Sequence, residues 1–381
     1  MASAYTGLTL IGLIHQIVPT AMPNGFLLSR ALLNFETDSE DLLAELSAVT
    51  RTPDGHLWVG SDEYLTLERL TPTGNGVYSN HKTFHLKEFV QLFDHDTEID
   101  IEGLNYCDGY IWVVGSHSSK RRQAKGKKQQ KDIERLSEIS YDSNRSLLAR
   151  LPVLNGEIVP AYAQPDTANG DLTAASLKQV NGHNQLLEAL ATDQHLGPFL
   201  QMGLPSKDNG FDIEGIAVND HQIFLGLRGP VLRGWAIVLE LEVEDGEPGE
   251  LVLKDLGDGC LYRKHFLDLN GQGVRELCLH DGDLLVLAGP TMELEGAMQM
   301  FRFEDVLNHT SDTLWSQDSG RLTVMFDLPF TIGSDHAEGL TLVPCLGYEH
   351  SLMVVYDSPD RSRRPHAKGV FADIFHLPTK D

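Results

Sequence analysis

The chain has 381 residues, 41% of them apolar, and a formal net charge of −25. That length supports one large core or two ordinary ones. The acidic balance repels nucleic acid and anionic membrane, so neither is expected as a partner, and a cation or a cationic ligand is favoured instead.

The first residues, MASAYTGLTLIGLIHQIVP, carry no basic leading segment, and His15 and Gln16 follow the apolar run closely. They make a poor secretion signal. No stretch approaches the ~20 apolar residues of a membrane-spanning helix. Cys107, Cys260, Cys278 and Cys345 are widely spread with no CxxC pair, which predicts buried thiols rather than disulfides or a zinc knuckle. Together these features predict a cytoplasmic protein.

Further along, a template recurs: a short apolar strand, a turn rich in Asp, Gly or Asn, a second strand of aromatic and β-branched residues, then Gly or Ser. The copies begin at Glu45 (ELSAVTRTPDGHLWVGSDE), Asp100 (DIEGLNYCDGYIWVVGS), Asp212 (DIEGIAVNDHQIFLGLR), Arg275 (RELCLHDGDLLVLAGP) and His336 (HAEGLTLVPCLGYEHSLMVVYDS). Outer strands follow each copy: YLTLERL and KTFHLKEF, then SLLARLPV and GEIVPAYA, then GWAIVLELEV and KHFLDL, then MQMFRF and LTVMFDL. The last copy has only GVFADIFHL, and FLLSRALLNF (26–35) is left to complete it. Joining the two ends in one sheet removes exposed strand edges. The prediction is an all-β fold, a single β-propeller over 1–381 with about five four-stranded blades, six being the alternative.

The template's first slot holds Glu45, Glu102, Glu214, Arg275 and Glu338, at intervals of 57, 112, 61 and 63 residues. The long interval is read as one blade with insertions. Residues 119–135, SKRRQAKGKKQQKDIER, lack strand alternation and are expected to be a solvated, mobile basic loop rather than a nucleic-acid patch. Residues 165–205 are expected to be an insertion, partly helical near 170–200.

In a propeller the entrance to the first strand and the exit of the second lie at one mouth of the axial channel. Glu45, Glu102, Glu214, Glu338 and Arg275 are therefore expected to converge there with Asp62, His117, Arg228 and Asp357. Carboxylates crowded on an axis repel unless protons, Arg or a cation compensate. Oxygen ligation predicts a divalent metal ion, Ca²⁺ first and Mg²⁺ or Mn²⁺ next, held by Glu45, Glu102, Glu214, Glu338, Asp62 and Asp357. The alternative is that each Glu only caps backbone N–H groups between blades. The segment LRGPVLRGWA offers Arg228 and Arg233 as a fork for a phosphate or carboxylate, with Lys207 just upstream and His117 at the mouth. The alternative is that these arginines pair with the Glu ring.

The segments LSAV (46–49), DIEGL (100–104), GFDIEGIAV (210–218), LRGPVLRGWA (227–236) and HAEGL (336–340) resemble a bacterial family of proteins of unknown function, family 3616. The EG-type blade starts are more distantly similar to the esterase-like domain of phytase-related propellers, which implies metal-assisted phosphoester hydrolysis. The reading is a metal-dependent hydrolase of a small anionic ester, a phosphoester among the candidates, at the acidic mouth of the central channel. In it Glu214 and Glu102 act as catalytic groups, Arg275 offsets transition-state charge, and Arg228, Arg233, Lys207 and His117 bind substrate. A non-catalytic ligand-binding or scaffold propeller is the alternative, and a sugar-acid lactonase is a third reading.

Overall fold

The structure is a computed structural model that describes residues 25–36, 40–94, 97–163 and 171–378. Among the described residues five sets of antiparallel strands follow one another, with the first and fifth joined edge to edge into one sheet and the second and third into another. The first comprises Leu46–Arg51, Leu57–Ser61, Thr66–Gly74 and Val77–His85. The second has Ile101–Cys107, Tyr110–Gly115 and Leu148–Leu154. The third has Asp212–Asn219, Gln222–Leu232, Trp235–Asp245 and Arg263–Asp268. The fourth has Gly273–His280, Asp283–Gly289, Met298–Phe303 and Leu322–Leu328. The fifth has His336–Cys345, Tyr348–Asp357 and Gly369–His376. The first strand of each set touches the first strand of the next, and the fifth returns to the first. The result is a ring of blades around an axis, a β-propeller.

Alternation along the strands explains how the ring is filled. In Tyr110–Gly115, Ile111 and Val113 pack into the core shared with blade one, while Trp112 and Val114 pack into the core shared with blade three. Successive side chains leave opposite faces of a strand. Both faces of a blade are covered, so the strands read as continuous apolar runs. Each of the five interfaces between blades holds one apolar cluster of this kind.

The ring is closed by sequence-distant strands. Leu27–Asn34 pairs antiparallel with Gly369–His376 and becomes the outer strand of blade five, as FLLSRALLNF predicts. Its Leu32 and Leu33 also pair in parallel with Val77 and Tyr78 of blade one.

Blade two departs from expectation. GEIVPAYA supplies only Glu157–Ile158 and Ala161–Tyr162, of which the first pairs with the blade. The rest of the outer position is taken by Ala175–Leu177, which pairs with Ala149 and Arg150 and continues in parallel to Glu250–Leu253 of the next blade. The predicted insertion therefore begins with blade sheet, and its helices are the short segments Gln185–Leu190 and Gly197–Met202. The basic run is not a plain loop: Lys120–Arg121 pairs with Ile139–Ser140, and Gln129–Leu136 is a helix without a buried side chain. The four thiols are free, but only Cys278 is buried and Cys260 is exposed, against the expectation that all four are interior. Among the described residues no helix is long and apolar enough to cross a membrane.

Leu33 is fully buried in the core between blades five and one. Leu33→Ala should cost about 2–5 kcal/mol, seen as a lower urea midpoint with the unfolding slope retained.

Candidate functional site at the channel mouth

Every inner strand breaks register with its partner at the same level. The irregularity falls between Leu46 and Ala48, Ile101 and Gly103, Ile213 and Gly215, Val274 and Glu276, and Ala337 and Leu340. The residues left out of the ladder are Ser47, Glu102, Glu214, Arg275, and Glu338 with Gly339. A bulge re-aims the extra side chain, and Glu102, Glu214, Arg275 and Glu338 all line one open cavity of about 1440 Å³. Glycine follows the acid in three blades because the next inner strand lies against it. A Cβ on Gly103 would come within 2.8 Å of Ile216 Cγ2, one on Gly215 within 2.9 Å of Glu276 Cα, and one on Gly339 within 2.8 Å of the Val49 nitrogen.

The register corrects one assignment. In blade one the bulge residue is Ser47, whose hydroxyl donates to the Ile101 carbonyl. Glu45 lies two residues earlier, level with Asp100, Asp212 and His336. These form a second tier that the repeat template did not single out, although the DIEG motif carries it: Asp and Glu two apart fall on one side of the strand. Arg145, from the turn before Leu148–Leu154, was also missed, and no sequence pattern marks it.

Charge is distributed unevenly around the mouth. Arg228 donates to Glu214 at 2.5 Å, stands 3.9 Å from Asp212 and reaches the Met292 carbonyl. Arg275 stands 2.9 Å from Glu214 and pairs with Glu338, so it joins blades three, four and five. Arg145 pairs with Asp100 and donates to Ser118 Oγ at 2.7 Å. Among the described residues, the other arc has no arginine in contact. Glu45 Oε2 and Asp62 Oδ1 are buried with no hydrogen-bond partner. No donor or cationic side chain among the described residues is paired with Glu102. His336 stands 3.4 Å from Asp357.

The predicted binding residues divide. Arg228 lines the cavity, and its guanidinium serves the ring, the alternative already foreseen for it. Lys207 lines the rim, exposed, 3.5 Å from Glu293. Arg233 is exposed at the Arg233–Gly234 hairpin turn and does not line the cavity, so it is removed from the site. His117 is also removed. It is buried, with Nδ1 2.7 Å from the Gly115 carbonyl and Nε2 2.7 Å from Asn184 Nδ2. Burial holds its pKa down at about 4. A carbonyl on one side and an amide NH₂ on the other fix a neutral ring that anchors the Gln185–Leu190 helix. The basic segment meets the cavity through Lys120, Arg121, Arg122, Lys125 and Arg135.

The six carboxylates expected as metal ligands do not close on one point. Among the described residues, the one trio of His, Cys, Asp or Glu side chains with donor atoms all within 4.8 Å of one another is His280, Asp281 and His350, outside the mouth. Glu214 and Glu338 are committed to arginines, which leaves Glu45, Asp62, Glu102 and Asp357 as oxygen donors free of guanidinium.

The sequence model of the family described as "Protein of unknown function (DUF3616)" matches residues 45–373. The chain belongs to this family. No curated protein matches the chain in sequence. Among solved structures, this DUF3616 chain is similar to virginiamycin B lyase from Staphylococcus aureus, with 13% identity, 86% of this chain and 67% of that chain covered and a TM-score of 0.32. It is similar to a putative glucose dehydrogenase from Thermus thermophilus, with 14% identity, 91% and 100% covered and a TM-score of 0.37. It is also similar to an α-L-arabinofuranosidase from Podospora anserina, with 8% identity, 92% and 98% covered and a TM-score of 0.41. These likenesses concern the fold.

Crowding shifts the acids of this DUF3616 mouth. Burial, then Asp100, Asp357 and other carboxylates, pushes Asp62 up to about 8. Burial and Glu214 push Asp212 to about 8, and burial, Glu63, Asp41 and Asp357 push Glu45 to about 7. Burial followed by Asp100, Glu214 and Glu338 holds Glu102 well above the usual range. Buried Glu276, raised by burial and then by Glu214 and Glu338, accepts from the Ile216 and Leu277 amides at 3.1 and 2.8 Å.

Between about pH 4 and pH 8 the folded chain therefore holds protons that the unfolded chain has lost. Stability tied to these acids is fully present at the acid end of that window and is lost as pH rises. Asp62→Asn should raise the Tm, by on the order of 1–3 °C at pH 8, and its advantage over the parent chain should shrink toward pH 5. Differential scanning fluorimetry across that range checks both signs. Glu276→Gln keeps an acceptor for both amides and should stay within about 1 kcal/mol of the parent, whereas Glu276→Leu strands them and should cost more than about 2 kcal/mol, read from urea denaturation.

Proposed function

We propose that the channel mouth is a cation-assisted hydrolytic site for a small anionic ester, with a phosphoester the first candidate. The observation that carries this reading is the division of one open cavity into a cationic rim and an arc where Asp62, Glu102 and Asp357 touch no arginine among the described residues, with the partnerless Glu45 Oε2 and Asp62 Oδ1 on that side. Glu45, Asp62, Asp357 and Glu102 would hold a hard divalent ion, Ca²⁺ before Mg²⁺ or Mn²⁺, because all four offer oxygen donors. The buried, partnerless oxygens of Glu45 and Asp62 fit that role. When bound, such an ion polarises an ester and lowers the pKa of water.

The chain's own residues supply the rest. Lys207, Lys125 and Arg135 lie on the rim, and among the described residues the side-chain charges of Lys125 and Arg135 form no ion pair, so they are free to take an anion. Arg275, fixed by two carboxylates, keeps its charge beside the developing negative charge. Among the described residues Glu102 has no donor, and burial with Asp100, Glu214 and Glu338 shifts it toward its protonated form, which suits it to deliver a proton to a leaving group or to give it up to a cation. Unpaired thiols suit a reducing compartment, and the cytoplasm is the inferred setting.

The second reading, a non-catalytic ligand-binding propeller, is favoured by one observation: Arg275 ties three blades together, as a structural ring requires. Assay of phosphomonoesters, phosphodiesters and sugar-acid lactones with Ca²⁺, Mg²⁺ and Mn²⁺ separates the two. Turnover that is lost with EDTA and falls at least about 100-fold in kcat in Glu102→Gln, at unchanged or raised Tm, supports hydrolysis. Absence of turnover, with Arg275→Met lowering the Tm sharply, supports the structural ring.

A further inference from the structure

We propose a second, nitrogen-based metal site on the face of the propeller opposite the channel mouth, formed by His280 and Asp281 of blade four with His350 of blade five. Blade four enters its inner strand at the mouth with Gly273 and reaches His280 at the far end, about 17 Å along the strand from Arg275. The hairpin there turns through Asp281 and Gly282, at φ 53° and 82°. Two consecutive left-handed residues make the tight turn that suits paired strands, and it presents His280 and Asp281 side by side. His350 lies near the start of the second strand of blade five, which also begins at this far face.

The donor atoms are assembled already. His280 Nε2 is 2.9 Å from His350 Nδ1, the rings are nearly perpendicular at 87°, and Asp281 Oδ2 is 3.5 Å from the same Nε2. All three donors lie within 4.8 Å of one another. Metal–imidazole bonds of about 2.0–2.1 Å span about 2.9 Å between nitrogens at the right angle of an octahedral ion and about 3.3 Å at the tetrahedral angle of Zn²⁺, so the contact is already at an octahedral bite and a few tenths of an ångström short of a tetrahedral one. With no metal, one ring's N–H donates to the other ring's lone pair; an ion bonds both nitrogens once that hydrogen has moved to the donor ring's other nitrogen.

Burial lowers the pKa of His280, with His350 and Arg302 adding to the effect and Asp281 and Asp283 opposing it. Arg302 stands 3.9 Å from Asp283, which offsets its charge toward an incoming cation. The His280 side chain is 13% exposed and Asp281 72% exposed, so the site is anchored on one side and open to solvent on the other. Two imidazoles and a carboxylate select late first-row divalent ions such as Zn²⁺ or Ni²⁺ over Ca²⁺. An ion bound here would clamp blade four to blade five.

The test uses the full chain without an affinity tag. Titration calorimetry with Zn²⁺ and with Ni²⁺ should show one equivalent bound at micromolar Kd or tighter, with a Tm that rises with metal concentration as linkage requires. His350→Gln and, separately, His280→Gln should each weaken binding at least about tenfold, while Cys260→Ser should leave it unchanged, excluding the exposed thiol. Because His350 is exposed, His350→Gln should fold normally with an unaltered Tm in EDTA. Failure of the parent chain to bind Zn²⁺ or Ni²⁺ at 100-micromolar levels, or retention of full affinity in His350→Gln, overturns the site. Neither result bears on Ca²⁺ at the mouth, since the donor sets are separate.

Discussion

The structure depends on how closely the inner strands of neighbouring blades approach at the axis. At Gly103, Gly215 and Gly339 there is no room for a Cβ against the next strand, and the preceding residue is thrown out of the ladder as a bulge. Packing and chemistry thus share one local device. The glycine lets the ring close, and the bulge that accommodates the approach aims the neighbouring acid into the lumen. Blade four solves the same problem differently. It has Glu276 where blades two, three and five have glycine, and that side chain turns back to accept the Ile216 amide of blade three and its own neighbour's amide. The burial that makes the contact tight also pushes the acid's pKa well above the usual carboxylate range.

Much of this was legible in the sequence. Apolar runs separated by Asp-Gly turns gave the strands, and the recurrence of EG at blade starts pointed to the axis and to Glu102, Glu214, Arg275 and Glu338. The closing strand could be read from an unpaired apolar segment near one end and a missing strand near the other. What failed was register. ELSAV offers an obvious Glu two residues before the bulge, and matching acids by type rather than by position chose Glu45 over Ser47. The same slip hid the second tier, although Asp100 and Asp212 stand in plain view in DIEG.

Other errors came from interactions that sequence spacing does not encode. His117 follows a blade's second strand, where a mouth residue belongs, but a carbonyl and Asn184 hold it inside the wall. Arg233 looked equivalent to Arg228, yet five residues in a hairpin separate a cavity wall from an exposed tip. Arg145 comes from a turn that belongs to no repeat, and only the three-dimensional structure sets it on Asp100. Repetition in the chain predicts what the blades have in common; the compensation of charge is done by residues they do not share.

That division has a consequence for how the mouth can work. Where arginine neutralises the acids, at Glu214 and Glu338, the pairs tie blades to one another and a cation gains little by entering. Where arginine is absent, Asp62 and Glu45 are shifted toward their protonated forms, and protons exchange. Asp62 and Glu45, with pKa values pushed to about 8 and about 7, must each lose a proton before they can bind a metal ion, so cation uptake and proton release are linked. The same burial that disfavours their ionised forms makes an ion at that arc more strongly held once the protons have left, because its charge is poorly screened there. The arc is thus least stable as an empty anion and best satisfied either protonated or cation-bound. With the proposed cation it would be a two-state element set by pH and metal, carried on a frame whose arginine-paired side stays fixed.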